Sequence, residues 1–309
     1  MARQSARRPV KGLSKMAETA VLKRQVMGRL RMNRWLRILR ELSSYDEAGD
    51  LLRSRSKKGA GISVVSCIVL LVLLFVFWGG GELLIVSVAL GAGALLTLAF
   101  SIFFLKKLKQ LDALDLANDF RSILLPFLVA IREDVPSTEK VKLNLDLAGP
   151  SEAKMIRKGN LGKKGGKEIE ETVYSDPWCH LEAPLAAGKH IRLDIANIYT
   201  RHQISWRTTR GKNKSKSKWR KLVVVRAEMA PDAVRFTLDP VALKKGQKEV
   251  GLKLKKRTEG EAVAIKMKKK FKAIGNDPPV DTVQAKELIA LFLRLGSLIR
   301  PIPTGSQAT

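Results

Sequence analysis

The chain has 309 residues with 57 Lys or Arg and 29 Asp or Glu, which gives a formal net charge of +28. This length accommodates one membrane module and one soluble domain of ordinary size. A positive field of this size favours polyanions, either nucleic acid or the anionic lipid of a cytoplasmic leaflet. The two cysteines, Cys67 and Cys179, exclude a disulfide framework because the first lies in a long apolar stretch, and this fits a reducing cytoplasm.

The N-terminal part precedes any apolar stretch. Residues 1–16 are basic without apolar periodicity, so we expect disorder, and the length of this basic region argues against a cleavable signal peptide. Residues 17–58 are predicted as an amphipathic helical segment, with a helix from Ala17 to Leu42. Two faces are expected, an apolar one at helical spacing and a basic one: Met32, Trp35, Leu36, Leu39 and Leu42 against Arg29, Arg34, Arg37 and Arg40. The apolar face fits either the membrane interface or packing on the protein's own helices. A polar connector is predicted from Ser43 to Ser56.

Residues 59–105 form the most apolar part of the chain, with one charge, Glu82, between Ile62 and Leu105. Spans of about 60–78 and 83–105 approach or reach the roughly 20 residues that cross a bilayer. In lipid such segments are helices, because every backbone amide needs an internal partner. We therefore predict a transmembrane helical hairpin. The alternative, a buried helical pair in a soluble core, requires two helices that are apolar on every face.

The charges that flank the hairpin predict its orientation. Basic residues stand before and after it, and none stands in the turn Gly79 to Glu82: Arg53, Arg55, Lys57, Lys58, Lys106, Lys107 and Lys109. Because Lys and Arg near the membrane ends stay cytoplasmic, both termini are expected on that side. The predicted location is the plasma (inner) membrane, as a multi-pass protein.

Small residues recur along both apolar segments at fourfold spacing. They predict a close helix–helix contact, although Gly and Ala are also simply common in membrane helices. The candidate helix-packing residues are Ser63, Cys67, Ala89, Gly93, Thr97 and Ser101. Neither span contains an ionisable residue, so an ion or proton pathway has no candidate.

Residues 106–135 are predicted as a cytoplasmic helical connector that continues the second span. Its apolar positions fall on two faces, which indicates more than one packing neighbour. Pro126 is expected to kink this helix or to start a new one.

From residue 136 the pattern changes to strands. Val141, Leu143 and Leu145 alternate with polar residues, and further β-rich runs follow, separated by turn signals that include Asp176-Pro177. We predict a β-rich domain over 136–273 with a sandwich or small-barrel arrangement. A C-terminal helix is expected over 281–300, capped by Asp281 and docked on the sheet or the long helix. The fold class is thus an α+β membrane protein with a cytoplasmic antiparallel β domain.

Catalytic and metal chemistry finds little support. Cys179, His180, His190 and His202 are the only soft-ligand candidates, but adjacent residues on a strand point to opposite faces, which argues against a metal pair or a Cys–His nucleophile. The run Gly159 to Lys167 resembles a phosphate-binding loop only superficially and is interpreted as a mobile basic loop. No catalytic residue, metal or cofactor is predicted.

Charge clustering is the stronger signal. Two runs near the end of the β domain present basic side chains, and both are predicted to bind an anionic surface: Arg210, Lys212, Lys214, Lys216, Lys218, Arg220 and Lys221 in the first, and Lys266, Lys268 and Lys270 in the second. Lipid is favoured over nucleic acid because the hairpin holds the domain near a leaflet and stacking aromatics are sparse. The alternative is a solvated face whose lysines protect a sheet edge.

The function expected from these features is a non-enzymatic, membrane-anchored scaffold or adaptor. Its basic β domain would bind a partner protein or the anionic membrane surface. Two alternatives stay open: a subunit of a homo-oligomeric pore or mechanosensitive assembly, and a membrane-tethered enzyme without a recognisable motif.

Overall fold

The computed structural model describes residues 13–77, 84–112, 115–232, 235–244, 253–257, 260–272, 278–279 and 282–302. The chain divides into two compact units. The first contains Met1–Leu13 and Glu41–Asp115, and the second contains Ser14–Arg40 and Leu116–Thr309. The fold is α+β, with two long apolar helices and an antiparallel sheet.

The two long helices dominate the first unit. Helix α2 runs through Met32–Phe77 and helix α3 through Leu84–Asp112. The polar connector predicted at Ser43 to Ser56 is wrong, because these residues continue α2 and carry a helical ion pair between Asp50 and Arg53 at 3.3 Å. The predicted turn Gly79 to Glu82 lies outside the described residues. The helical connector predicted over 106–135 continues α3 only as far as Asp112, because residues 115–117 are not helical.

The N-terminal helix predicted from Ala17 to Leu42 is in fact three elements. Helix α1 covers Lys15–Lys23, strand β1 covers Gln25–Arg31, and α2 then begins at Met32. The break follows Arg24, whose φ of 51° is left-handed and ends α1. The disorder predicted for residues 1–16 is wrong at its end, where Ser14 caps α1 by accepting a hydrogen bond from the Ala17 amide at 3.4 Å. Residues 1–12 lie outside the described part.

The apolar face at the start of α2 is buried as the spacing predicts. Met32, Trp35, Leu36, Leu39 and Leu42 are each at most 4 % exposed. Trp35 Nε1 donates a hydrogen bond to the Val141 carbonyl at 2.8 Å. Of the two alternatives for this face, the structure therefore has packing on the protein itself.

The second unit is built on one antiparallel sheet of eight strands, and we call it the sheet unit. Its strands pair in the order β1-β2-β4-β5-β6-β9-β8, with β3 beside β4. Their bounds are β2 Lys140–Asp146, β3 Lys154–Lys164, β4 Lys167–Pro184, β5 His190–Arg207, β6 Asn213–Ala230, β8 Lys253–Arg257 and β9 Gly260–Lys272; a separate pair joins β7 Phe236–Leu238 to β10 Ile299–Pro301. The predicted sandwich or barrel is not confirmed, because the described strands pair as one open sheet.

Three of these strands are unusually long. β4, β5 and β6 each contain 18 residues and merge runs that the sequence divided into shorter strands. The turn predicted at Asp176-Pro177 is wrong: both residues lie inside β4, where the register against β5 shifts between Asp176 and Cys179. Proline lacks the ladder donor, so a bulge is the place within a strand that accommodates it.

Helices cover one face at one end of this sheet. A π-turn at Phe120–Leu124 leads into α4 at Leu125–Ala130, and Pro126 begins this new helix as predicted. Helix α5 covers Ala285–Gly296 with Gln284 as its N-cap, whereas the predicted cap Asp281 lies outside the described residues. Phe127 and Phe292 contact with ring centroids 5.0 Å apart. The C-terminal helix thus packs with α4 and the sheet.

The other end of the long strands forms an extension that we call the β arm. It consists of β3 with residues 167–176 of β4, 197–207 of β5 and 213–221 of β6. Every β3 residue is exposed, and residues 201–207 of β5 are all exposed or half-buried. Near the start of β5, by contrast, Ile191, Leu193 and Ile195 are at most 2 % exposed.

Candidate anionic-partner interface

The two faces of the sheet differ in composition. On β6, Val223, Val225 and Ala227 are buried on the face that the helices cover. Lys214, Lys216, Lys218 and Arg220 alternate with polar or aromatic residues and are exposed on the opposite face. We call this opposite side the open face. The alternation follows from the period of two along a strand.

Strand pairing joins the two predicted lysine clusters into one. In the register of β6 with β9, Arg220 pairs with Lys272, Leu222 with Lys270, Val224 with Lys268 and Arg226 with Lys266. The cluster is exposed throughout, and we call it the basic column: Lys214, Lys216, Lys218, Arg220, Lys266, Lys268, Lys270 and Lys272. Clusters about 50 residues apart in sequence therefore share one surface.

Arg210 and Lys212 lie at the tip of the β arm, in the turn between β5 and β6. Both are exposed, and the Thr208 amide donates to the Lys212 carbonyl at 2.9 Å, which closes the turn. Gly211 has a φ of 76°, a conformation that glycine adopts without strain. The basic run from Arg210 to Lys221 is thus a short turn followed by a strand.

Lys221 does not belong to this surface, which corrects the predicted set. It is 2 % exposed, and its Nζ lies 3.2 Å from Asp119 Oδ2. The reason is the strand period: one residue after Arg220, the side chain of Lys221 points to the covered face. Asn197 Nδ2 donates to the same carboxylate oxygen at 2.8 Å.

A second basic edge was missed by sequence reasoning. The predicted mobile loop Gly159 to Lys167 is a hairpin between β3 and β4, with left-handed Gly165 and Gly166 at its turn. Its pairing puts Arg157 opposite Val173 and Lys164 opposite Lys167 on the open face. The sequence shows the Lys and Arg residues of this segment, but without a regular alternation that would have indicated a strand.

Aliphatic side chains lie between the two basic edges. The register pairs Ile169 with Ile204 and Ile198 with Leu222 on the open face. Trp206 stands at the outer end, where Lys167 Nζ lies 5.7 Å from its ring centroid. We call six of these residues the aliphatic strip: Ile169, Val173, Ile198, Ile204, Leu222 and Val224.

Two of the three histidines form hydrogen bonds with carboxylates. His180 Nδ1 is 2.6 Å from Asp194 Oδ1, and its Nε2 is 3.1 Å from Glu182 Oε1. The hydrogen bond from His202, 2.9 Å from Glu171, holds the pKa of that carboxyl below its usual range, with Arg157 contributing in the same direction. His190 is exposed at the start of β5. Within the described residues, no group of three His, Cys, Asp or Glu is placed to hold a metal ion.

Cys179 is separated from these polar groups. It is 4 % exposed on the covered face, and burial raises the pKa of its thiol far above the ordinary value. His180 points to the opposite face, so the two side chains do not form a nucleophile–base pair.

A buried polar cluster lies on the covered face where the arm begins. Asp176 is 5 % exposed and pairs across strands with Asn197, which is 1 % exposed. Burial raises the pKa of Asp176 to about 6, and the nearby charges of Asp146 and Asp119 act in the same direction. Asp176 Oδ2 and Asn197 Oδ1 are both buried without a hydrogen-bond partner among the described residues.

The predicted helix-packing residues lie in α2 and α3. Cys67 and Ser101 are buried, Ser63, Gly93 and Thr97 are half-buried, and Ala89 is exposed. The helices approach at Cys67, whose Sγ lies 3.7 Å from the Ala94 carbonyl oxygen, and at Gly93, where an added Cβ would meet Leu70 at 3.4 Å. A further close contact involves Gly59: an added Cβ there would lie 2.9 Å from Phe104 Cζ.

Comparison with known proteins gives no relative for this chain: no family model, no curated protein and no solved structure matches it.

Proposed function

We propose that this protein is a non-enzymatic, membrane-anchored adaptor whose basic sheet face holds an anionic partner next to the bilayer. The observation that carries the proposal is the basic column, eight exposed Lys and Arg side chains on one face of two paired strands. A face of this kind binds carboxylate or phosphate groups by charge, whether they belong to a protein or to a lipid headgroup.

The anchor is the pair α2 and α3. In their most apolar windows only 6 % and 11 % of the residues are buried within the protein, and the mean hydropathies are 2.8 and 2.3. The core helix of a soluble protein is mostly buried, so exposure of this apolar surface supports insertion in a bilayer. The flanking Lys and Arg favour a cytoplasmic sheet unit and two cytoplasmic termini in the inner membrane.

The test uses the full chain in nanodiscs of zwitterionic phosphatidylcholine. Anionic phosphatidylglycerol vesicles and fluorescent polyglutamate are offered separately, and capture is measured by co-sedimentation and by fluorescence anisotropy. We expect at least one anionic probe to bind at low salt and to dissociate as salt rises, because exposed charges are screened over about 10 Å at 0.1 M.

Charge reversal identifies the surface. Reversal to Glu at Lys214, Lys216, Lys218 and Arg220 should abolish capture, because each basic residue near an anionic surface contributes on the order of 1 kcal/mol. The matched control reverses four exposed basic residues elsewhere on the sheet unit, Arg132, Lys140, Lys244 and Lys286. Failure to capture either probe at low salt, or an equal loss in both variants, would contradict the proposal.

A further inference from the structure

We infer that the aliphatic strip, between its two basic edges, is a docking groove for an acidic amphipathic helical segment of a partner protein. This inference rests on the proposed function and specifies the partner's chemistry. The occupant has an apolar face that contacts the strip and carboxylates on both flanks that meet the basic edges. Recognition of an amphipathic helix in an apolar groove is a common mode of peptide binding.

Two residues of the strip are largely covered, and the other four are half-buried. Val173 and Val224 point to the open face, yet they are only 8 % and 7 % exposed. The helices of the described residues pack on the other face: Lys269 pairs with Glu287 of α5 there at 2.5 Å, and Trp35 contacts Val141. Arg157 stands opposite Val173 and Lys268 opposite Val224. The aliphatic stems of such long basic side chains lie along apolar surface while their charged ends stay in water.

The dimensions of the groove match a helix. Beside Ile169 and Ile204 its edges are β3 and β6, with β4 and β5 between them. Leu222 and Val224 lie on β6 itself, next to Lys270 and Lys268 of β9. Three strand spacings of about 4.8 Å give a width of roughly 14 Å, and a helix with its side chains is about 10–12 Å across. Along β5 the strip and its aromatic end extend from Ala196 to Trp206, or about 33 Å at 3.3 Å per residue. A helix of roughly 22 residues has this length.

The charges around the groove favour a negatively charged occupant. One edge is the basic column, and the other carries Lys154, Arg157, Lys164 and Lys167. Glu171 lies between these edges on the open face, but it is already paired with Arg157 and with His202 at 2.9 Å. An occupant with acidic flanks therefore meets positive charge on both sides.

Two observations favour a protein segment over the bilayer. A segment that lies in the membrane interface buries its apolar face about 5–10 Å deep, whereas Val173 and Val224 of the strip are only 8 % and 7 % exposed. A flat bilayer surface contacts the basic edges before it reaches the strip. A helix is narrow enough to contact the strip and both basic edges together. A second copy of this chain is a poor occupant, because its net charge is +28.

The test uses a designed probe with the full chain in phosphatidylcholine nanodiscs. The probe is a fluorescent 22-residue peptide with Leu on one helical face and Glu on both flanks. The comparison peptide has the same composition in a shuffled order without an apolar face. Anisotropy titration should show the amphipathic peptide binding at least tenfold more tightly than the shuffled one.

Two uncharged variants then locate the contact. The double variant Ile198→Gln with Ile204→Gln should weaken amphipathic-peptide binding at least tenfold and leave shuffled-peptide binding unchanged. The control variant, Val241→Gln with Leu293→Gln, alters residues that are 75 % and 70 % exposed and should bind normally. If the double variant unfolds at a lower temperature than the parent, the single variant Ile169→Gln replaces it. This variant should also weaken binding of the amphipathic peptide and leave binding of the shuffled peptide unchanged.

The possible outcomes separate this inference from the proposed function. Equal binding of the two peptides means that only charge is recognised, which overturns the groove and leaves the adaptor intact. Capture of phosphatidylglycerol vesicles without peptide binding makes the bilayer the occupant and also overturns the groove. Absence of all binding contradicts both proposals.

Discussion

Lys221 Nζ lies 3.2 Å from Asp119 Oδ2 in the interior of the sheet unit, while its neighbour Arg220 is exposed on the opposite face. Two adjacent basic residues therefore have different roles. Arg220 belongs to the basic column, and Lys221 joins β6 to the π-turn that begins after Asp119. A buried ion pair contributes little compared with an apolar pair, but the removal of one partner leaves an uncompensated buried charge.

Substitution of Lys221 should therefore destabilise the fold. We expect Lys221→Met to lower the free energy of unfolding by about 3 kcal/mol, because the Asp119 carboxylate keeps only its hydrogen bond from Asn197. Arg220→Met should change it by no more than about 0.5 kcal/mol, as is usual for exposed sites. Thermal unfolding in detergent, followed by near-ultraviolet circular dichroism, measures both. Equal effects of the two substitutions would contradict the burial of Lys221.

Asp176 predicts a dependence of stability on pH. Its pKa is raised to about 6 in the folded protein, whereas the ordinary value is 3.8. The folded state thus binds more protons than the unfolded state between about pH 4 and pH 6, and this residue's contribution to stability falls as the pH rises through that window. At pH 7.5 the ionised carboxylate is buried with one oxygen unpaired, which is unfavourable.

Asp176→Asn should therefore stabilise the protein at pH 7.5 by about 1–3 kcal/mol, given 1.36 kcal/mol per pKa unit. The new amide can donate to Asn197 Oδ1, which lacks a partner among the described residues. Melting temperatures at pH 4.5 and pH 7.5 should differ less in the variant than in the parent. Loss of stability at pH 7.5 would show that the charged carboxylate has a structural partner.

The long helices could be predicted from sequence, and so could the strand content, because both depend on local periodicity. Val141, Leu143 and Leu145 alternate as the structure has them, and all are buried. The N-terminal strand could not be predicted: Gln25 to Arg31 contains neither proline nor a turn, and its β conformation comes from pairing with β2, more than 100 residues away in sequence. Tertiary pairing overrode the local pattern there.

The candidate interface was only half predictable for a similar reason. Each lysine cluster is visible in the sequence. The two clusters form one surface only because the strand register pairs Arg220 with Lys272. Register is a long-range property, and a shift of one residue would move Lys266, Lys268, Lys270 and Lys272 of β9 to the covered face. Lys221 shows the same limit, since a charge count cannot distinguish the two faces of a strand.

The contact between Gly59 of α2 and Phe104 of α3 provides another test. At Gly59 an added Cβ lies 2.9 Å from Phe104 Cζ, while at Gly61 no atom lies within 4 Å. Gly59→Val should reduce stability in detergent by about 1–3 kcal/mol through overpacking. Gly61→Val, on the same helix, should have little effect. Similar melting temperatures for the two variants would mean that Phe104 moves aside without cost.

The orientation of the sheet unit can be tested by cysteine labelling. Cys179 is buried, with its thiol pKa raised by burial, and Cys67 is buried in α2, so the parent chain should react slowly with maleimides. Lys212→Cys introduces a thiol at the exposed tip of the β arm. With the sheet unit in the cytoplasm, as the flanking basic residues predict, an impermeant maleimide should label this variant in inside-out vesicles and not in intact cells.

The control for this labelling is a thiol on the same unit at a distance from the tip. Lys286→Cys, exposed on α5, should give the same pattern because it lies in the same unit as Lys212. Labelling of both variants in intact cells would place the sheet unit outside and reverse the orientation. Equal labelling in intact cells and in inside-out vesicles, with the parent unlabelled, would contradict a single orientation of the sheet unit.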